Sequence, residues 1–224
     1  MRISSQQFER ELKSPRSRKF NIVFMGMSGS GKTHWSKLFS QQYSYVHVEF
    51  DDLIGGSDEL AELIKNVPGK DAAERMGNYF GMPWSDDYAA KERRFLDVEG
   101  IFMSHKYPNG SVLDLTGSCI YHKERMDVLC SNGLVIYLET SPEKEREMFE
   151  TFKLSPKPVI WSGVFKREEH ESNDEAIERC YMLLLRQRAV LYATYADVIL
   201  PYDDHKNVQS VEDFVERIKG QLSE

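Results

Sequence analysis

Apolar and polar positions follow two rhythms along this chain. Phe20-Asn21-Ile22-Val23-Phe24-Met25 is a short, nearly continuous apolar run that stops at Gly26, the pattern of a buried strand. Residues 32–42 then carry Trp35, Leu38 and Phe39 at helical spacing. Tyr45 to Phe50 alternates and ends in acids, which predicts a second strand. Residues 51–105 are mostly helical in period, broken at Val67-Pro68-Gly69 and Gly81-Met82-Pro83. Val112-Leu113-Asp114-Leu115 and the apolar Leu134 to Leu138 predict a third and a fourth strand. Ser141-Pro142 supplies an N-cap with proline at the first helical position. Ser172-x-x-Glu175 is a capping box for a long helix reaching about Tyr195. Val198-Ile199-Leu200 predicts a fifth strand, and Val211, Phe214, Val215, Ile218 and Leu222 mark one face of a last helix.

Strands apolar on both faces, alternating with helices, define an α/β fold: a five-stranded parallel sheet covered by helices on both faces. No repeat or linker divides it, so residues 20–224 are expected to form one domain. Residues 153–171 interrupt the helical pattern with two prolines, a glycine and mixed charge, and are expected to form a lid segment. Residues 1–19 hold Arg2, Arg10, Lys13, Arg16, Arg18 and Lys19 against Glu9 and Glu11, without an apolar signal region. The expectation there is a basic arm, solvated or forming a short helix ahead of the first strand.

Composition narrows the partners. With 41% hydrophobic and 29% charged residues among 224, the chain is an ordinary soluble one. No apolar run nears the ~18 residues of a membrane span, so a cytoplasmic protein with no membrane partner is expected. A net charge of −7 argues against nucleic acid as the main partner but leaves room for a small anion held by local cations. Cys119, Cys130 and Cys180 form no C-x-x-C pair, and the histidines form no H-E-x-x-H set. That suits a reducing compartment and no structural metal. A monomer or a small homo-oligomer fits.

Gly26-Met27-Ser28-Gly29-Ser30-Gly31-Lys32-Thr33 fits G-x-x-x-x-G-K-[ST], and it sits after an apolar strand and opens a helix. The glycines let backbone amides face one anion, and the helix N-terminus adds its positive end. Gly26, Ser28, Gly29, Ser30, Gly31, Lys32 and Thr33 are therefore the expected ATP contacts, with Lys32 on the β- and γ-phosphates and Thr33 on Mg²⁺. The fold expected is that of the P-loop NTPases. A GTPase would show N-K-x-D, and there is none. Asp97-Val98-Glu99-Gly100 spells D-x-x-G, but a helical charge pattern precedes it rather than a strand. A small kinase is the leading reading.

Glu49-Phe50-Asp51-Asp52-Leu53-Ile54 puts acids at the carboxyl end of the second strand, the ligand edge of a parallel sheet. Here the chain resembles the shikimate kinase family, whose acid-x-acid-x-x-Ile stretch matches Glu49-x-Asp51-x-x-Ile54. Further along, Leu115-Thr116-Gly117-Ser118-Cys119 is similar to its Thr-Gly-Gly-Gly acceptor loop. Lys157-Pro158-Val159-Ile160 falls at the Arg-Pro-Leu-Leu of its lid. Arg188-Ala-Val-Leu-Tyr192-Ala-Thr-Tyr-Ala196-Asp197 is similar to its Arg-x-x-Leu-Tyr-x-x-x-Ala-Asp stretch. The resemblance implies Glu49 near the metal and Asp51 as base or hydroxyl anchor. It implies Gly117 and Ser118 beside the acceptor, Lys157 closing over the transferring group, and Arg188 on an acceptor carboxylate. The implied activity is ATP-dependent phosphorylation of a hydroxyl on a small, acidic metabolite.

Departures accompany the match. Two glycines of the acceptor loop are Ser118 and Cys119, so side chains are expected where bare backbone should face the substrate. The family's Phe-Arg-x-x-Glu aligns with Tyr88-Ala89-x-x-Glu92, which removes an arginine; Arg93 and Arg94 are expected to face solvent. Asp114 stays open between a second acid near Mg²⁺ and a plain paired polar position. Trp161 is expected in the core. Pro201-Tyr202-Asp203-Asp204 lies where this fold usually binds adenine. The phosphate loop also resembles that of gluconate kinases. Two other functions stand beside the kinase reading: an ATP-binding protein with a degenerate acceptor site, and a nucleoside monophosphate kinase.

Overall fold

A computed structural model describes residues 3–14, 18–155 and 157–223. Arg2, Arg16 and Pro156 lie outside them. The chain opens with α1 (Ser5–Lys13), β1 (Asn21–Met25), α2 (Lys32–Tyr43) and β2 (Val46–Glu49). Four helices follow: α3 (Phe50–Gly55), α4 (Asp58–Ile64), α5 (Ala72–Phe80) and α6 (Tyr88–Met103). Then come β3 (Ser111–Asp114), α7 (Lys123–Asn132), β4 (Gly133–Leu138), α8 (Pro142–Leu154) and α9 (Asn173–Tyr195). The chain closes with β5 (Val198–Leu200), α10 (Tyr202–Lys206) and α11 (Val211–Gln221). Ser141 and Ser172 cap α8 and α9 through their hydroxyls, as the sequence predicts.

The five strands form one parallel sheet in the order β2-β3-β1-β4-β5. Alternation along the central strands sorts side chains to two faces. Ile22 and Phe24 of β1, with Leu134 and Ile136 of β4, pack against Trp35 and Phe39 of α2 and Phe214 and Ile218 of α11. Val23, Met25, Val135 and Tyr137 join the opposite cluster, with Phe102 of α6, Met126 of α7 and Leu184 and Tyr192 of α9. Both faces of β1 and β4 are thus covered, which is why their sequences run apolar without polar alternation.

The basic segment takes the short-helix alternative, and that helix is docked rather than solvated. Phe8 of α1 is fully buried in the α2–α11 cluster with Ile3 and Leu12. Ser5 N donates to Ser223 O at 2.8 Å, tying the start of the helix to the other end of the chain. Three sparse apolar residues among many charges hid this docking face from a composition argument. Among the described residues no helix is long and apolar enough to cross a membrane.

Because the strands are parallel, their carboxyl ends share one edge. The phosphate loop leaves β1 there, Glu49 ends β2 and Asp114 ends β3. β1 lies between β3 and β4, where the connections diverge to opposite sides and open a crevice.

Candidate active site

Gly29 and Gly31 adopt left-handed backbone, at φ 80° and 99°. A Cβ on Gly26 would stand 2.7 Å from Leu138 O, so only glycine lets the chain leave β1 there. α2 begins at Lys32 without a side-chain cap, leaving its first amides for an anion. Lys32 is 7% exposed; its Nζ donates to Met27 O at 3.0 Å, and no carboxylate of the described residues lies within ion-pair distance. Burial lowers the Lys32 pKa, opposed by Asp114 and Asp51. Ser30 Oγ is buried without a hydrogen-bond partner. A buried ammonium held by one carbonyl, an orphaned hydroxyl and a bare glycine cradle fit a polyphosphate.

Beside this loop, Thr33 Oγ1 donates to Asp114 Oδ2 at 2.6 Å. Ser36 Oγ donates to the same oxygen at 3.3 Å and lies 2.9 Å from His47 Nε2. Glu49 stands opposite Asp114 in strand register and is paired with Lys37 at 2.7 Å. Burial pushes Glu49 up, and Lys37 and His47 bring it below the ordinary value. Asp114, only 3% exposed, is pushed up by burial against the pull of Thr33 and Lys32. His47, Glu49 and Asp114 offer ligand atoms within 4.8 Å of one another. With the Thr33 hydroxyl, the carboxylates form an oxygen-rich set suited to Mg²⁺. Asp114, which the sequence left open, is the carboxylate that touches Thr33.

A cavity of about 490 Å³ runs from the loop to α9, and Ser28, Gly29, Asp51, Gly117, Lys157 and Arg188 all line it. Residues far apart in sequence thus meet around one space. Asp51 opens into it from α3. Its low-dielectric surroundings raise its pKa; Lys32 opposes this, and Asp114, Glu99 and Glu49 add to it. Arg188 is 9% exposed, yet no carboxylate of the described residues pairs with it. Its Nη2 donates to Ile160 O at 2.7 Å and its Nε to Tyr121 Oη at 3.2 Å. A Cβ on Gly117 would come within 3.3 Å of Arg188 Nη1. Tyr192 Oη donates to Gly117 O at 2.6 Å, holding the loop against the arginine.

The acceptor loop corrects one expectation. Ser118 has an ordinary φ of −96° and needs no glycine. Its hydroxyl donates to Glu99 Oε1 at 2.6 Å, and Cys119 is fully buried. Thr116 Oγ1 donates to the same Glu99 oxygen, and His122 Nε2 lies 2.8 Å from the other. Cys119 therefore turns under the loop, whereas Ser118, its hydroxyl tied to Glu99, still lines the cavity. Glu99 is a residue the sequence reading missed, having met it only in the discounted D-x-x-G.

A second stretch of α6 has the same spacing. Phe95-Leu96-x-x-Glu99 fits the Phe-Arg-x-x-Glu spacing, with Phe95 lining the cavity and Glu99 under the acceptor loop. Tyr88-Ala89-x-x-Glu92 faces residues 159–162 instead. Neither Ala89 nor Leu96, the second residue of the two stretches, supplies an arginine. Arg93 and Arg94 are exposed, as expected. In the lid segment, Lys153 belongs to α8 and pairs with Glu150, while Lys157 is exposed at the cavity rim. Trp161 is buried among Phe152, Phe165 and Tyr181, the core position expected of it.

A parallel sheet with this loop and this acid cluster defines a P-loop nucleotide-binding protein. The family model for shikimate kinase matches residues 59–219. Shikimate kinase 1 of Hamiltonella defensa subsp. Acyrthosiphon pisum (strain 5AT) is 28% identical over 190 residues, covering 84% of this chain and 89% of that protein. Shikimate kinase of Aliivibrio salmonicida (strain LFI1238) is 27% identical over 186 residues, covering 83% and 88%. A solved shikimate kinase from Acinetobacter baumannii, in complex with shikimate, shares the fold at a TM-score of 0.53 and 18% identity, covering 92% of this chain and 93% of that one. The chain belongs to the shikimate kinase family. It is an ATP-dependent small-molecule kinase, and ATP and Mg²⁺ are its cofactors.

Proposed function

We propose that this kinase phosphorylates a hydroxyl of shikimate or of a closely similar hydroxy acid. The observation that carries the reading is Arg188: a buried guanidinium with no carboxylate partner among the described residues, beside Gly117, in the cavity that Asp51 also lines. A buried charge left unpaired is costly, so an anionic group on the ligand is the partner it calls for. The relatives named shikimate kinases supply the acceptor class.

ATP with Mg²⁺ supplies the phosphoryl group and neutralises its charge when bound. Lys32 and the amides of Gly29 to Thr33 would hold the phosphates. Thr33 would hold the metal, with Asp114 and Glu49 ordering its outer contacts. Arg188 and Gly117 orient the acceptor by its carboxylate. Asp51 takes the hydroxyl proton as the new O–P bond forms and the bond to the leaving diphosphate breaks. Lys157 covers the reacting groups from the rim. Fixed cations facing the spreading negative charge provide most of the rate enhancement. A cytoplasmic setting, a monomer or small homo-oligomer, and no nucleic-acid partner complete the proposal.

The test is ADP release from Mg·ATP with shikimate, sugar acids and nucleoside monophosphates, with Asp51→Asn alongside. Stimulation by shikimate that disappears in Asp51→Asn supports both the acceptor and the base. Stimulation by a nucleoside monophosphate alone overturns the acceptor class. Tight ATP binding with no stimulation by any acceptor overturns the kinase assignment of this site.

A further inference from the structure

Three buried side chains grip residues 159–162 from two helices. Tyr88 Oη, on α6, donates to Val159 O at 2.8 Å. Arg188 Nη2, on α9, donates to Ile160 O at 2.7 Å. One turn beyond Tyr88, Glu92 Oε1 accepts Trp161 N–H and, at 3.3 Å, Ser162 N–H. Ile160 C=O and Trp161 N–H belong to the same peptide group. Glu92 and Arg188 therefore hold one rigid plane by its two poles. The peptide dipole lies aligned between a carboxylate and a guanidinium.

The rest of the arginine faces the acceptor site. Its Nε is on Tyr121 Oη, and Nη1 lies toward Gly117. Lys157, Pro158, Val159 and Ile160, just before the gripped peptide, form one wall of the cavity. Beyond it the chain turns through Ser162 and Gly163 in left-handed backbone, at φ 50° and 78°. A free carboxylate is an expensive way to satisfy two backbone amides, since burial pushes Glu92 up and only those amides and Arg188 draw it back. An orienting role for its charge accounts for the choice.

We infer that Glu92 is a positioning residue of the acceptor site, acting through the peptide that joins Ile160 to Trp161 to fix the orientation of Arg188 and the cavity wall. The inference rests on the reading of Arg188 as the group that meets the acceptor's anion. Without Glu92 the peptide is free to rotate, Ile160 O leaves Arg188, and the guanidinium loses one of its holds. Glu92 lines neither the phosphate loop nor the metal cluster, so nucleotide binding is untouched.

The experiment compares full-length wild type with Glu92→Ala, Glu92→Asp and Glu92→Gln. Glu92→Asp withdraws the carboxylate by one methylene and bears the test if Glu92→Ala fails to fold. Three readouts are taken: the KM for shikimate, the Kd for Mg·ATP, and the NMR resonance of the Arg188 Nε–H proton with backbone amide exchange at Trp161 and Ser162. In Glu92→Ala or Glu92→Asp we expect a shikimate KM raised about tenfold or more. We also expect an unchanged Mg·ATP Kd, a shifted or broadened Arg188 Nε–H signal and faster exchange at both amides. Glu92→Gln, which keeps an accepting oxygen but loses the charge, should fall between wild type and Glu92→Ala in KM. An unperturbed Arg188 Nε–H signal overturns the inference. So does faster amide exchange with an unchanged shikimate KM, which reduces Glu92 to fold support. If shikimate fails to stimulate the wild type, the acceptor reading falls by itself, and the Arg188 Nε–H signal alone decides the role of Glu92.

Discussion

The hydroxyl of Thr33 donates to Asp114 across 2.6 Å, joining the first turn of the phosphate-loop helix to the end of the neighbouring strand. Asp114 is therefore in place to hold the metal's inner contacts still. We predict that Asp114→Asn weakens the apparent affinity for Mg²⁺ by roughly 10–100-fold, the usual effect of losing an outer partner at a metal site. Titrating Mg²⁺ at fixed ATP in a binding assay checks this. An unchanged half-saturating Mg²⁺ would return Asp114 to the plain structural reading.

Asp51 sits in surroundings that raise its pKa. As general base it must be ionised, so kcat/KM should rise with pH through a limb above the ordinary aspartate value of about 3.9. Asp51→Asn should cut kcat by roughly 10²–10⁴-fold. The effect on stability has the opposite sign. A carboxyl whose folded pKa is raised burdens the folded state when ionised, above the ordinary pKa, and is relieved as pH falls. At pH 7 the variant should therefore melt no lower than wild type; a clear drop in Tm would show that Asp51 supports the fold.

Arg188→Met should raise the acceptor KM far more than it changes Mg·ATP affinity. Truncating one side of a buried charge-assisted contact costs about 2–5 kcal/mol, or roughly 30-fold to several thousandfold. Arg188→Lys should rescue little of it, because an ammonium cannot hold Ile160 O, Tyr121 Oη and an anion in one fixed fork. Equal losses in both affinities would count against a specific acceptor role.

Phe8→Ala tests the docking of α1. Phe8 is fully buried against Phe39, with ring centroids 6.5 Å apart. Its truncation should cost about 3–5 kcal/mol, read as a lower denaturation midpoint. A change below about 1 kcal/mol would mean that the helix is dispensable to the core.

The strands and their order along the chain were legible because each element announces itself locally. β1 and β4 are apolar without interruption, the capping serines precede their helices, and G-x-x-x-x-G-K-[ST] needs only eight consecutive residues. The phosphate loop could be assigned from sequence for the same reason: its chemistry is made by adjacent backbone amides. The Arg188 assignment required more, a resemblance extending over distant segments, since a helical arginine by itself usually faces water.

What only the tertiary structure decided are relationships between elements. Asp114 in an apolar strand has two readings until α2 brings Thr33 to it. Glu99 and Glu92 have the same composition and lie on the same helix, yet one accepts from the acceptor loop and the other from residues 161 and 162. Their seven-residue separation is about two helical turns; helical period alone puts them on one face and does not say which partner each meets. Hydrophobic period fixes which face of an element is buried, because water acts on every residue alike. Which buried polar group meets which is set by the packing of whole elements, and that information is not local to any stretch of sequence.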